Sequence, residues 1–299
     1  KPGRPEVRIL RHEQTLGLIA AKQTGGDAAK GDVIVFFDCH VLPRDGWEEA
    51  FLKQMQRMGD HRTVVVPTIT SLDSDTWEEI VGGPVSVACF ALLNGDFTWI
   101  MNPGRDVPLM SGGLLAMSRQ WWQETEGYDS HMVAWGGENI DQSIRTWLCG
   151  GRIEHADGAF VAHMWRDPKK PKTRLKYPMP TKDVMRNKAR AITAWMGSYR
   201  EKVFSFPEYD DIRTGSVPLG DMTNFDHIKE KLQCQPFVSY LARFSYVYFD
   251  TGLVPKTIFQ LHEVSNGLCL ERLGLNGDMP FPTALLPCAG PVSGDAPIP

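Results

Sequence analysis

The sequence predicts an α/β domain with a mostly parallel sheet, followed by a smaller β domain. In the first third of the chain, apolar segments rich in β-branched residues alternate with segments of helical periodicity, the order typical of strand–helix–strand units. Beyond residue 255 the pattern changes, because residues 257–262 alternate like a strand and turns rich in Gly, Pro and Asn follow. Together these observations set the expected fold class.

The composition is that of a globular protein. Its 299 residues suffice for one large domain or two, and 42% hydrophobic with 23% charged residues are ordinary proportions. The net charge of −4 gives no reason to expect a nucleic-acid partner. No apolar run reaches the roughly 18 residues that a membrane-spanning helix requires. Because the sequence starts without a methionine or a signal peptide, we interpret it as part of a longer chain.

The six cysteines are widely spaced and form no Cys-x-x-Cys pair, so a structural zinc site is not expected. Their spacing fits a few disulfides in an oxidising compartment, and it fits buried thiols in a cytosolic protein equally well.

Local patterns predict the elements in order. The first part contains a short strand at 7–10, a partly helical segment at 16–30, a strand at 33–37, a helix at 46–58 and a strand at 64–66 that Pro67 ends. The middle contains weaker strands at 85–90 and 97–100, a strand after a glycine pair at 112–113, and a helix at 138–149 that Gly150 and Gly151 end. The last part contains a strand at 160–166, a long helix at 181–204 and a helical segment at 225–244.

The strand at 33–37 leads directly into Asp38 and His40, the most informative residues of the chain. Residues two apart in an extended segment project to the same side, so both side chains can reach one point at the carboxyl end of the strand. A carboxylate with an imidazole suits a divalent ion such as Mn²⁺ better than it suits Ca²⁺. An Asp and a His in this position also occur simply as turn residues, and on this segment alone both interpretations stay open.

Two further segments have the character of a ligand site. Gly112 and Gly113 leave the backbone bare, so either a ligand approaches closely there or the chain makes a tight turn. Trp135 precedes two glycines and then Glu138 and Asn139, which open a helix. An aromatic ring beside a carboxylate and an amide is suited to stacking on a sugar and to bonding its hydroxyls; the alternative is a helix start with a buried tryptophan.

His163 interrupts an apolar strand, and such a histidine is more often structural. It becomes the candidate third metal ligand because Asp38 and His40 need one. The basic residues that follow belong either to a solvated loop or to a surface facing a diphosphate. These are Lys169, Lys170, Lys172 and Arg174.

Taken together, these motifs resemble the polypeptide N-acetylgalactosaminyltransferases, which begin mucin-type O-glycosylation. The resemblance is colinear from residue 7 to about residue 244. The motifs of that family are matched here as follows: DxH by Asp38-Cys39-His40, GGL by Gly112-Gly113-Leu114, WGGEN by residues 135–139, CGG by residues 149–151, and HxxR by residues 163–166.

The resemblance implies a GT-A glycosyltransferase fold over residues 1–205, without the family's first nucleotide-binding strand and helix. Residues 206–255 would form a tail packed on this catalytic domain, and residues 256–299 the start of a ricin-type β-trefoil lectin domain. By similarity Cys149 would pair with Cys234, and Cys269 with Cys288, which implies a secretory lumen. Gly158 stands where a further cysteine is common in the family.

The resemblance also implies an activity: transfer of N-acetylgalactosamine, with retention, from UDP-GalNAc to Ser or Thr hydroxyls of polypeptides or glycopeptides. Mn²⁺ would be held by Asp38, His40 and His163. Family arginines before the DxH strand are replaced by Thr15 and Ala20, with Lys22 at a third position.

The remaining site residues would bind the donor. Lys22, Asp38 and Arg166 would face the diphosphate, and the glycine pair would hold the sugar together with Glu138 and Asn139. Trp135 would close over the donor. The lectin domain would bind carbohydrate.

Two alternatives stay open. One is another GT-A transferase, such as an inverting galactosyltransferase-like enzyme, with Asp141 or Glu138 as the base that inversion needs. The other is a non-catalytic pseudoenzyme or sugar-binding module. The family's location implies the Golgi lumen, within a type II membrane protein whose anchor lies outside this chain.

Overall fold

A computed structural model describes residues 6–100, 104–167, 169–173, 180–254, 261–272 and 283–287. The strands are β1 (Val33–Phe37), β2 (Val41–Pro43), β3 (Thr63–Ser71), β4 (Cys89–Ala91), β5 (Phe97–Trp99), β6 (Leu114–Ser118), β7 (Arg152–His163), β8 (Cys269–Arg272) and β9 (Thr283–Leu286). The helices are α1 (Leu18–Asp27), α2 (Trp47–Met58), α3 (Arg119–Glu124), α4 (Glu138–Leu148), α5 (Thr181–Trp195), α6 (Arg200–Phe204), α7 (Asp210–Arg213), α8 (Thr223–Leu232), α9 (Phe237–Arg243) and α10 (Ser245–Tyr248).

The central sheet is mixed rather than mostly parallel. Its five strands lie in the order β1-β6-β3-β7-β2, and only the β3–β7 pair is parallel. The prediction of a mostly parallel sheet is therefore wrong. Strands β1 and β3 are separated in the chain by β2 and α2; in the sheet, β6 lies between them and runs antiparallel to both. Local periodicity identifies strands, but it does not say which strand from later in the chain is inserted between them.

Both faces of the sheet are covered by helices. Alternate residues of β3 point to opposite faces and pack against different helices. Val64 and Val66 join the large core formed with α4 and α5, whereas Val65 packs with Phe51 of α2 on the other face. The predicted helix over α2 is confirmed. Helix α4 is buried along its whole length, including its charged residues, so it forms the centre of the large core.

Several predicted elements have different bounds in the structure. The strand predicted at 160–166 is the end of the longer β7, and the helical segment predicted at 225–244 is divided into α8 and α9.

Three further differences have identifiable reasons. Residues 7–10 form no strand; no described strand pairs with them, and Val7 is 84% exposed. Strand β3 continues through Pro67, because a shift of register between Val66 and Thr68 accommodates the missing N–H there. The long helix predicted at 181–204 breaks after Trp195, where Gly197 adopts a positive φ and a 3₁₀ turn begins.

The segment after α6 packs on this core. Tyr209, Phe225 and Tyr240 are almost fully buried in the same cluster as the side chains of α4. The predicted pairing of Cys149 with Cys234 is confirmed, and it ties the end of α4 to the second residue after α8. The two cysteines are 85 residues apart in the sequence.

Replacing both Cys149 and Cys234 with alanine is expected to lower the free energy of unfolding by about 2–5 kcal/mol, because a cross-link of this span restricts the unfolded chain. Urea unfolding of the variant and of the parent chain, both with Cys39 and Cys89 blocked, measures this difference. An unchanged midpoint of unfolding would mean that the tail is held by packing alone.

The described residues near the carboxyl end form an antiparallel pair of strands, β8 and β9. Cys288 and residues 255–260, where a strand was predicted in part, lie outside the described residues, so the Cys269–Cys288 pairing stays a prediction. Within the described part of the chain, no helix combines the length and the apolar character needed to span a bilayer.

Candidate metal and nucleotide-sugar site

The register of two neighbouring strand pairs brings the predicted metal ligands together. Strand β1 ends at Phe37, and Asp38 and His40 lie in the short connection to β2. The first residue of β2, Val41, is paired with His163, the last residue of β7. His40 and His163 therefore lie side by side at one edge of the sheet, and Met164 donates its N–H to the carbonyl of His40 (3.1 Å).

Candidate ligand atoms of Asp38, His40 and His163 all lie within 4.8 Å of one another. The carboxylate Oδ2 of Asp38 is 3.5 Å from Nε2 of His163, and the two imidazole rings have centroids 4.8 Å apart. Two imidazoles and one carboxylate form a donor set suited to a divalent transition metal such as Mn²⁺, and Nδ1 of His163 is buried without a hydrogen-bond partner among the described residues. The residues present thus fit such an ion.

The electrostatics of the cluster favour an ionised Asp38. Burial would raise the pKa of this carboxyl, but the hydrogen bond with His163 and the charge of Lys22 outweigh it and lower the pKa. The pKa of His40 is lowered, first by burial and then by the neighbouring His163. Both changes leave the side chains in the forms that bind metal, a carboxylate and a neutral imidazole.

Lys22 lies inside the site rather than at its edge. Its Nζ is 3.2 Å from Oδ1 of Asp38 and donates a hydrogen bond to the carbonyl of Gly112 (2.8 Å). The lysine thus connects the metal cluster with the glycine pair. It leaves Oδ2 of Asp38 directed towards His163.

The glycine pair is needed for space as well as for conformation. Gly112 has a φ of +86°, and a Cβ there would lie 2.9 Å from Cβ of Asn139. A Cβ on Gly113 would lie only 2.6 Å from Oδ2 of Asp38. The backbone of Gly113 also accepts a hydrogen bond from the N–H of Asp38 (3.1 Å). Both glycines are therefore required by the packing of Asp38 and Asn139 against this backbone, and the approach of a ligand to it stays a prediction.

Glu138 and Asn139 begin α4 next to this glycine pair. Glu138 is 4% exposed, and its Oε2 has no hydrogen-bond partner among the described residues. Burial raises the pKa of Glu138, and the charge of Lys22 opposes part of that rise. Asn139 donates to the carbonyl of Met110 (3.3 Å). A buried carboxylate with an unpaired oxygen is a candidate acceptor for a ligand hydroxyl.

The remaining predicted residues lie further from the cluster. Trp135 is half-buried in the loop before α4, and Arg166 is exposed although its charge contributes to lowering the pKa of His40. In the basic segment, Lys170 pairs with Asp73 (3.6 Å) and Lys172 with Asp75 (2.6 Å). Arg174 lies outside the described residues.

Two aromatic side chains beside the metal cluster, Trp165 and Trp99, were not predicted as site residues. The ring of Trp165 meets that of His163 edge-on with centroids 4.4 Å apart, and Trp99 packs against Trp165 at 5.9 Å. Trp165 is 40% exposed. The only sequence signal was the position of Trp165, two residues after His163 on a segment predicted to be extended.

Comparison with known proteins shows which families this chain resembles. Residues 1–120 match the family described as "Glycosyl transferase family 2", and residues 101–166 match the "N-terminal domain of galactosyltransferase". Polypeptide N-acetylgalactosaminyltransferase 13 of Rattus norvegicus is 32% identical over 288 residues, which are 90% of this chain and 49% of that protein. Polypeptide N-acetylgalactosaminyltransferase 3 of Mus musculus is 29% identical over 303 residues, or 95% of this chain and 46% of that protein.

The chain is a homologue of the polypeptide N-acetylgalactosaminyltransferases. It spans about half the length of these curated relatives. A crystal structure of GalNAc-T7 with UDP, GalNAc and Mn²⁺ superposes with a TM-score of 0.69 at 22% identity, covering 90% of this chain and 52% of that one. This structural similarity shows that the chain has the GT-A glycosyltransferase fold.

Proposed function

We propose that this N-acetylgalactosaminyltransferase homologue carries the catalytic part of a metal-dependent enzyme that transfers GalNAc from UDP-GalNAc to Ser or Thr hydroxyls of polypeptides or glycopeptides, initiating O-glycosylation. The observation that carries the proposal is the convergence of Asp38, His40 and His163 within 4.8 Å, next to the glycine pair. The homology to transferases of this specificity supports the choice of donor and acceptor.

The donor's charged part faces the metal cluster in this proposal. Asp38, His40 and His163 hold a divalent ion, Mn²⁺, which when bound neutralises the negative charge that develops on the leaving diphosphate. Lys22 and Arg166 add charge-assisted contacts to phosphate oxygens. The lowered pKa of Asp38 keeps its carboxylate ionised at neutral pH.

The sugar part faces the start of α4. Gly112 and Gly113 carry no side chain, so Asp38 and Asn139 pack directly against the backbone that the sugar ring approaches. The unpaired Oε2 of Glu138 accepts a hydrogen bond from a sugar hydroxyl, and Asn139 orients the sugar through the backbone of Met110. Trp135 covers the donor and excludes water.

The reaction proceeds with retention in this proposal. The acceptor hydroxyl attacks from the face that the diphosphate leaves, and the departing phosphate takes its proton. A second candidate, a galactosyl transfer with inversion, is favoured by the match of residues 101–166 to a galactosyltransferase domain. The anomeric configuration of the product distinguishes the two.

We extend the proposal to the rest of the chain. Residues 1–205 form the catalytic domain, 206–255 a tail on it, and 256–299 begin a ricin-type lectin domain that binds carbohydrate. The strand pair β8–β9 and the packing of Tyr209 and Phe225 on the core support this division. We propose, from the resemblance, that a longer protein containing this chain acts in the Golgi lumen as a type II membrane protein.

The proposed function is tested by donor hydrolysis and by transfer to a Thr-rich peptide. Both are measured with and without Mn²⁺, on this chain and on a longer protein that contains it. We expect Mn²⁺-dependent transfer by the longer protein, with a product that retains the donor's anomeric configuration. Nucleotide-sugar binding without any turnover in either protein would instead indicate a pseudoenzyme.

A further inference from the structure

The loop of residues 133–137, which leads into Glu138, has an unusual backbone. Ala134 has a φ of +57°, and Gly136 and Gly137 have φ values of +94° and +86°. The left-handed region costs free energy for a residue with a Cβ, so a conformation like that of Ala134 persists only where surrounding groups hold it. The groups that hold this loop therefore help to set the positions of Trp135 and Glu138.

The side chain of Asn187 on α5 holds the loop from one side. Its Oδ1 accepts a hydrogen bond from the N–H of Val133 (3.1 Å), and its Nδ2 donates to the carbonyls of Val133 (2.6 Å) and Trp135 (3.3 Å). Asn187 is fully buried. An amide that bonds two backbone groups of Val133 and one of Trp135 fixes the path of that backbone, because the planar amide has one orientation that satisfies all three.

Close backbone packing reinforces this contact. A Cβ on Gly137 would lie 2.7 Å from the carbonyl carbon of Asn187, so the loop lies directly on α5 at this point. On its other side, the carbonyl of Ala134 accepts a hydrogen bond from the N–H of Ile19 at the start of α1 (3.2 Å). The loop is thus held between α1, which also carries Lys22, and α5.

We propose that Asn187 is a positioning residue for the sugar part of the nucleotide-sugar site. It acts through the loop by fixing Trp135 and the start of α4 with Glu138. The inference rests on the proposed function for its effect on turnover. Its structural part, the fixing of the loop by this amide, is measured independently of any activity.

The test compares Asn187→Leu and Asn187→Ala with the matched control Asn224→Leu in the full chain and in a longer protein that contains it. Leucine keeps approximately the volume of asparagine but forms none of the three hydrogen bonds. Asn224 is a partly buried amide that donates to Asp129 (3.1 Å) and does not contact the loop. Hydrogen exchange of residues 133–137, binding of UDP with Mn²⁺, and donor turnover are measured for each variant.

In both Asn187 variants we expect exchange in residues 133–137 to be at least about tenfold faster than in the parent protein. Donor kcat should fall by roughly 10- to 100-fold, because the sugar is misplaced. UDP affinity should change by less than about twofold, since Asp38, His40 and Lys22 are untouched. Asn224→Leu should leave exchange in the loop and kcat at parent values.

The inference is overturned if loop exchange in Asn187→Leu equals that of the parent. It is also overturned if exchange rises while kcat stays unchanged, because the amide would then fix the loop without serving the site. If neither the unsubstituted chain nor the longer protein turns over donor, that result refutes the proposed function instead. In that case the preference for UDP-GalNAc over UDP in binding replaces kcat, and its persistence in both Asn187 variants overturns the inference.

Discussion

Replacing Asp38 with alanine is expected to abolish Mn²⁺-dependent sugar transfer. The carboxylate is the only anionic ligand in the cluster, and its Oδ2 is the oxygen that faces His163. The charge that it supplies offsets the cost of holding a divalent ion next to Lys22. We expect the affinity for Mn²⁺ to fall by more than the roughly 10–100-fold that loss of a supporting contact costs.

The measurement is Mn²⁺ titration followed by transfer to a Thr-rich peptide. Asp38→Asn is made alongside, because it keeps the shape of the side chain and removes only its charge. The exposed Asp45, in the turn after β2, provides the control variant Asp45→Ala, which should bind Mn²⁺ and transfer sugar as the parent does. Turnover by Asp38→Ala at the level of Asp45→Ala would refute the assignment of the metal site.

Replacing Gly113 with alanine should impair the site almost as strongly. The added Cβ would lie 2.6 Å from Oδ2 of Asp38, a distance at which one of the two groups must move. The backbone of Gly113 is held by its hydrogen bond from the N–H of Asp38, so the carboxylate is the group that rotates away. A ligand displaced by about 1 Å reduces turnover by roughly a hundredfold.

A matched glycine elsewhere in the chain separates this effect from a general effect of the substitution. A Cβ on Gly25, within α1, would meet no atom within 4 Å, so Gly25→Ala should keep full activity and raise the free energy of unfolding by about 0.5–1 kcal/mol. Mn²⁺ affinity and transfer rate are measured for both variants. A Gly113→Ala protein that binds Mn²⁺ as tightly as Gly25→Ala would show that the carboxylate tolerates the methyl group.

Local pattern predicted those elements whose periodicity is strong. Helices α2 and α4 and strand β1 appear where their apolar spacing places them, because burying an apolar face is what stabilises each of them. The predicted boundaries of elements were wrong where contacts between residues distant in sequence determine them. Strand β3 crosses Pro67 because β7 pairs with it on both sides of the bulge, and residues 7–10 pair with no described strand.

All three residues of the candidate metal site were predicted from the sequence, but local spacing accounts for only two of them. Asp38 and His40 are two positions apart in the sequence, so spacing alone suggested that they face one point. His163 lies far along the chain, and only the antiparallel pairing of β2 with β7 brings it beside His40. The same is true of Lys22, whose contact with both Asp38 and Gly112 depends on how α1 packs.

The sequence by itself determined the chemistry of this protein: a carboxylate and an imidazole after a strand, a glycine pair, and an aromatic residue before a carboxylate at a helix start. Each of these arrangements is local, because it consists of residues that lie close together in the sequence. The tertiary structure decided the strand order of the mixed sheet, the position of His163 beside His40, and the support of the 133–137 loop by Asn187. Each of these depends on contacts between residues distant in sequence, and such contacts form only when the whole core packs.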